Sequence, residues 1–89
     1  MPLVRFTQNI QRHVACPPRE VEGLSLRAVL EGYFDGNPGA RDYVLDDQGT
    51  LRKHMAIFIN GEPVLDRKDL ADVVPADGTV DIVQALSGG

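Results

Sequence analysis

Apolar positions along this chain switch between a period of two and a period of about 3.6, and the switches mark its elements. Leu3-Val4-Arg5-Phe6-Thr7 is rich in β-formers, with Val4 and Phe6 on the buried side of a strand and Arg5 and Thr7 facing outward. Cys16-Pro17-Pro18 interrupts any ladder, because proline has no donor and biases its predecessor away from helix. Arg19-Glu20-Val21-Glu22 predicts a short second strand that completes an N-terminal hairpin. Ser25 stands where a helix N-cap belongs, its hydroxyl able to accept from an unpaired backbone donor. Leu26, Val29, Leu30 and Phe34 then recur at helical spacing, and Asp35-Gly36-Asn37-Pro38-Gly39 stops the helix. At about ten residues it is roughly 15 Å long, enough to cover one face of a small sheet.

Asn37-Pro38 predicts a brief helical turn. Tyr43-Val44-Leu45-Asp46-Asp47-Gln48-Gly49 follows, and its Asp-Asp-Gln-Gly cluster is a solvated turn, since a calcium loop needs further acids at alternate positions and a closing Glu. The strongest local signal comes next. His54-Met55-Ala56-Ile57-Phe58-Ile59 is a strand, Asn60-Gly61 a type I′ turn, and Glu62-Pro63-Val64-Leu65 the return. Met55, Ile57 and Ile59 share one face, Ala56 and Phe58 the other, and Pro63 makes the return strand short and at an edge. Asp69-Leu70-Ala71 predicts a helical turn. After Pro75-Ala76-Asp77-Gly78, the last strand alternates Val80 and Ile82 against Asp81 and Val83. The expected class is α+β: a mixed sheet of about five strands packed on one main helix, its first and last strands adjacent and parallel at the centre. No repeat or linker divides the chain, so residues 1–89 read as one domain with 87–89 as a C-terminal tail.

Composition narrows the function classes. A hydrophobic fraction of 43% with 25% charged residues describes a small globular domain with a modest core. The formal net charge of −4, nine basic side chains against thirteen acidic ones, argues against a nucleic-acid binder. No apolar run is long enough to span a bilayer and the N-terminus has no signal-peptide pattern, so no membrane role and a cytoplasmic address are expected. Cys16 is the only cysteine, which rules out an intramolecular disulfide and leaves too few ligands for a structural zinc or an iron–sulfur cluster. As a half-buried hairpin thiol it reads as packing rather than as a sulfur site. His13 and His54 have no ligand-spaced companions and read as surface or strand-edge imidazoles. With no Ser/His/Asp or Cys/His constellation and no phosphate-binding glycine loop, the chain is expected not to be an enzyme.

The chain ends Leu86-Ser87-Gly88-Gly89. Glycine has no side chain, so a strand running into Gly88-Gly89 reads as a rigid scaffold handing over to a slender tail. Such a tail fits a narrow tunnel that a branched residue would block. Taken alone, the same ending reads first as a frayed terminus, and it is the rest of the chain that reverses this.

Three passages, in this order, resemble the ubiquitin-like sulfur carriers of the ThiS/MoaD family, whose fold is the β-grasp. Val21 to Leu30 looks like the family's strand-to-helix junction, Ile57-Phe58-Ile59-Asn60-Gly61-Glu62 like its central hairpin, and Ala76 to Ile82 through Ser87-Gly88-Gly89 like its final turn, strand and tail. The long segment Tyr43–His54 looks more like the carrier that feeds sulfur to cysteine synthesis, and its relatives in accessory biosynthetic clusters, than the compact carriers of thiamin synthesis. Ser87 departs from the alanine that the family more often places before Gly-Gly.

The resemblance implies a protein cosubstrate. An adenylyltransferase of the ubiquitin-activating type would consume ATP to turn the Gly89 carboxylate into an acyl-adenylate. A sulfur donor would then convert it to a thiocarboxylate for a sulfur-accepting biosynthetic enzyme, with no cofactor bound stably by the chain and no metal. Partner-binding residues are expected at Phe58, Val83, Leu86 and Arg5, near the hydrophobic patch that ubiquitin-like proteins offer to activating enzymes; the alternative is that Phe58 packs under the Tyr43–Lys53 segment. Other readings are the small subunit of molybdopterin synthase, a modifier joined through Gly89 to lysines, and a plain β-grasp interaction module.

Overall fold

The computed structural model describes residues 1–84. Eight elements follow one another: β1 (Leu3–Phe6), α1 (Gln8–Gln11), β2 (Arg19–Glu20), α2 (Leu26–Asp35), α3 (Pro38–Val44), β3 (Met55–Ile59), β4 (Glu62–Pro63) and β5 (Thr79–Gln84). The five strands form one mixed sheet in the order β2-β1-β5-β3-β4. β5 is central and parallel to β1, as expected of the first and last strands, and its other neighbour β3 is antiparallel to it.

One sheet face carries the core. Val4, Phe6, Met55, Ile57, Val80 and Ile82 are buried there, together with Leu26, Val29, Leu30, Tyr33 and Phe34 of α2. The predicted stripe holds, and Tyr33 joins it because its hydroxyl donates to Pro17 O at 2.6 Å while its ring packs 5.0 Å from Phe6. Ile59 is only half-buried at the end of its strand. Ser25 caps α2 as expected, its Oγ accepting from Ala28 N at 3.2 Å. The next orphan donors of that helix are satisfied from a distant loop: Leu26 N donates to Asp72 O and Arg27 N to Leu70 O, both at 2.8 Å.

Several local expectations are corrected. β1 ends at Phe6, and Thr7 opens the unforeseen α1 instead of extending the strand. The first two strands do pair antiparallel, but β2 stops at Glu20 and Val21 turns into the core. Pro38 starts a seven-residue helix, not a single turn, because proline at the first helical position gives up no bond the helix needs. His54 lies in the turn before β3, exposed. Cys16 is fully buried at 1% exposure, not half-buried, and desolvation pushes its thiol up from the ordinary value.

The expected helical turn at Asp69-Leu70-Ala71 is absent. A tight turn takes its place, with Leu70 buried in the left-handed region at φ 56°. A leucine there is strained. The Asp66 carboxylate compensates by accepting from Asp69 N (2.9 Å), Ala71 N (3.2 Å) and Lys68 N (3.1 Å). These backbone donors, Asp69 N foremost, hold the Asp66 pKa below the usual carboxylate value. A depressed folded-state pKa means that the loop's contribution is complete above the unfolded value and is lost as pH falls through the folded one. In urea denaturation at decreasing pH, Asp66→Asn should therefore be less stable than the parent at neutral pH, with the gap closing in acid.

The hairpin turn matches its chemistry, with Asn60 and Gly61 at φ 51° and 83°. Gly23 is constrained differently: a methyl there would stand 2.8 Å from Val29 N and 2.7 Å from Val29 Cγ2. Gly23→Ala is expected to destabilise the domain by about 1–3 kcal/mol, the cost of overpacking, read as a lowered melting temperature.

Candidate functional site

Among the described residues, the second face of the sheet lies outside the helix-covered core. Side chains alternate along each strand, so the odd-numbered residues of β1 and β5 and the even-numbered ones of β3 point there. Strand register then sets them in rows. Arg5 is opposite Asp81 across the β1–β5 pair, and Asp81 is opposite Phe58 across β5–β3, so these three residues form one row across the middle of the sheet. Phe58 is in turn opposite Pro63 of the edge strand β4. Val83 lies one step along β5, opposite Ala56.

Arg5 and Asp81 meet as a fork: Nε donates to Oδ1 at 2.8 Å and Nη2 to Oδ2 at 3.1 Å. The hydrogen bond, and then the charge of Asp81, raise the Arg5 pKa further above its already high value. So exposed a pair adds little to stability. Its effect is on charge and position, because two hydrogen bonds tie the guanidinium to Asp81 and leave the row nearly neutral beside Phe58.

Arg5, Phe58, Asp81 and Val83 line a shallow depression of about 450 Å³, with Thr7 and Gly61 at its margins. Three of the four residues expected to bind a partner are thus brought together. Phe58 and Val83 are half-buried, not fully exposed, since each leans on its cross-strand neighbours. Phe58 opens on the depression, and no residue of the Tyr43–Lys53 segment is among those that line it. Thr7 Oγ1 is buried without a hydrogen-bond partner among the described residues. Leu86, Ser87, Gly88 and Gly89, the remaining candidate residues, lie outside the described residues.

Two contacts, one within the site and one at the end of β5, have no local signal in the sequence. Alternation turns Asp81 outward, as it does Arg5, but their opposition needs the β1–β5 register, which alternation alone does not give. Gln84, the last residue of β5, accepts at Oε1 from Asn9 Nδ2 of α1 (3.2 Å) and from the Tyr43 hydroxyl of α3 (3.1 Å). Nothing in local patterning signals that contact.

The Asp46 carboxylate is occupied as a turn cap, accepting from Gln48 N and Thr50 N at 2.9 Å each. Among the described residues, no group of three or more His, Cys, Asp or Glu side chains is placed to hold a metal, and no helix is long and apolar enough to cross a membrane.

The strand order, the covering helix and the parallel β1–β5 core define a ubiquitin-like β-grasp fold. Comparison with solved structures bears this out. A chain of the BexX/CysO complex of Amycolatopsis orientalis superposes with a TM-score of 0.83 at 17% identity, over 100% of both chains. CysO of Mycobacterium tuberculosis gives 0.80 at 21% identity, over 97% of this chain and 100% of that one. Small archaeal modifier protein 1 of Methanosarcina acetivorans gives 0.79 at 20% identity, over 99% and 95%. No family model matches the chain, and no curated protein matches it in sequence. The likeness is one of fold.

Proposed function

We propose that this protein is a ubiquitin-like sulfur carrier that reacts through the carboxylate of Gly89. The observation that carries the reading is the convergence of Arg5, Phe58 and Val83 on the open face of a sheet whose central strand, β5, is the last before Gly88-Gly89 in the sequence. An aromatic anchor beside an aliphatic neighbour and a fixed ion pair is the composition of a protein docking surface. The likeness to a chain of a complex that contains CysO adds support, as does the likeness to CysO itself.

In this reading the open face docks on an adenylating enzyme, which brings the Gly89 carboxylate to ATP. A carboxylate oxygen attacks the α-phosphorus and pyrophosphate departs, leaving an acyl-adenylate. Sulfide, or the terminal sulfur of a persulfide, attacks the acyl carbon. The bond to the AMP oxygen breaks and AMP leaves. With sulfide the product is the thiocarboxylate directly; with a persulfide, an acyl-disulfide forms first, and a second thiol attacks the donor's own sulfur, forming a disulfide with it and expelling the thiocarboxylate. The chain contributes the docking surface and the reacting group, and the partner supplies the catalytic apparatus.

The test is ATP–pyrophosphate exchange with a candidate adenylating enzyme. Exchange that requires this chain supports the reading; exchange that is indifferent to it contradicts it. The likeness to small archaeal modifier protein 1 favours a second use of the same activated terminus, transfer to lysine amines. Lysine-linked adducts that disappear with Gly89 would identify it.

A further inference from the structure

Strand β5 loses a neighbour before it ends. Its parallel partner β1 stops at Phe6, opposite Ile82, and one more bond, from Thr7 N to Ile82 O at 3.1 Å, closes that side. β3 continues, with Met55 opposite Gln84. At Val83 and Gln84 the strand is therefore laddered on one side only. On the other side the chain has turned into α1, and there the side chain of Gln84 takes over, its single oxygen accepting from Asn9 of α1 and Tyr43 of α3. Tyr43 is itself backed by His13, whose ring stacks on it with centroids 5.8 Å apart and planes 18° from parallel.

We propose that Asn9 and Tyr43 are positioning residues for the C-terminal tail: through Gln84 they fix the end of β5 and so define the point from which residues 85–89 reach a partner's active site. This rests on the carrier reading for its functional consequence, though not for the clamp itself. The five residues after Gln84 can span at most about 17 Å when extended, so the origin of that reach matters. If Val83 and Gln84 fray, two more residues must be ordered each time the terminus is bound, and the reacting carbon is less often in place. Docking through the open face is unaffected, because neither Asn9 nor Tyr43 lines it.

Two measurements on the full chain test the clamp, using Tyr43→Phe, Asn9→Ala and the double variant. Backbone ¹⁵N relaxation of the isolated protein should give Gln84 an order parameter near the rigid value of roughly 0.85 in the parent and below about 0.6 in the double variant. Residues of β1 and β3 should be unchanged. Adenylation kinetics should show kcat reduced about three- to tenfold in the double variant at unchanged KM for the carrier. Gln84→Glu, which keeps the acceptor, should behave as the parent, whereas Gln84→Met should resemble the double variant. The proposal is overturned if Gln84 is as mobile in the parent as in the double variant, or if an active parent and the double variant share the same kcat. A rigid Gln84 in a parent that no adenylating enzyme activates would refute the carrier reading and leave the clamp standing.

Discussion

Deletion of Gly88 and Gly89 should leave thermal stability unchanged and abolish sulfur uptake. Every buried core residue described lies at or before Ile82, so nothing in the packed interior depends on the last two glycines. The reacting carbon, by contrast, moves back by two residues, about 7 Å of extended chain. Catalysis on a positioned group tolerates little displacement, and an error of even about 1 Å costs on the order of a hundredfold. The loss in thiocarboxylate formation should therefore exceed a hundredfold at saturating partner. Gly88→Val separates reach from width, because it restores the length and adds a branch. If the activating site is a narrow tunnel, this variant should fail as the deletion does, while Gly88→Ala keeps measurable activity. A deletion variant that delivers sulfur at the parent rate would refute the assignment of Gly89.

Phe58→Ala should weaken docking on the activating partner by about thirtyfold, the effect of losing a hot-spot aromatic worth roughly 2 kcal/mol. Phe58 stands next to Asp81 in the row Arg5–Asp81–Phe58 and is not among the residues of the helix-covered core, so the melting temperature should move little. Val83→Ala should weaken docking less, because it removes less buried surface. Leu65→Ala is the control: Leu65 is 92% exposed and does not line the depression. Equal affinities for the Phe58 and Leu65 variants in titration calorimetry would remove the open face from the account.

Elements governed by local chemistry were legible in the sequence. The Asn60-Gly61 hairpin follows from two residues that tolerate positive φ, and α2 follows from its Ser25 cap, apolar stripe and glycine-proline stop. Alternation made Arg5, Phe58 and Val83 outward-facing on their own strands, and the resemblance to the β-grasp carriers put them on one patch. Elements held by distant partners were not legible. α1 has four residues, no side-chain cap and a single buried residue, Ile10, so its existence depends on what it packs against. Leu70 adopts a left-handed conformation that leucine avoids, held by its burial in the core, by Arg27 N on its carbonyl and by the backbone donors that Asp66 gathers around it. The Asn9–Gln84 contact joins positions 75 apart in sequence, and no periodic pattern records such a pairing.

The central claim is that the reacting group is the main-chain carboxylate of Gly89. The direct measurement is the intact mass of the chain, with fragment mapping, after incubation with the activating enzyme, ATP and sulfide. Exchange of one oxygen for one sulfur, localised to Gly89, is the predicted result. An unchanged mass with an enzyme proven active on this chain, or sulfur found on Cys16, would contradict it.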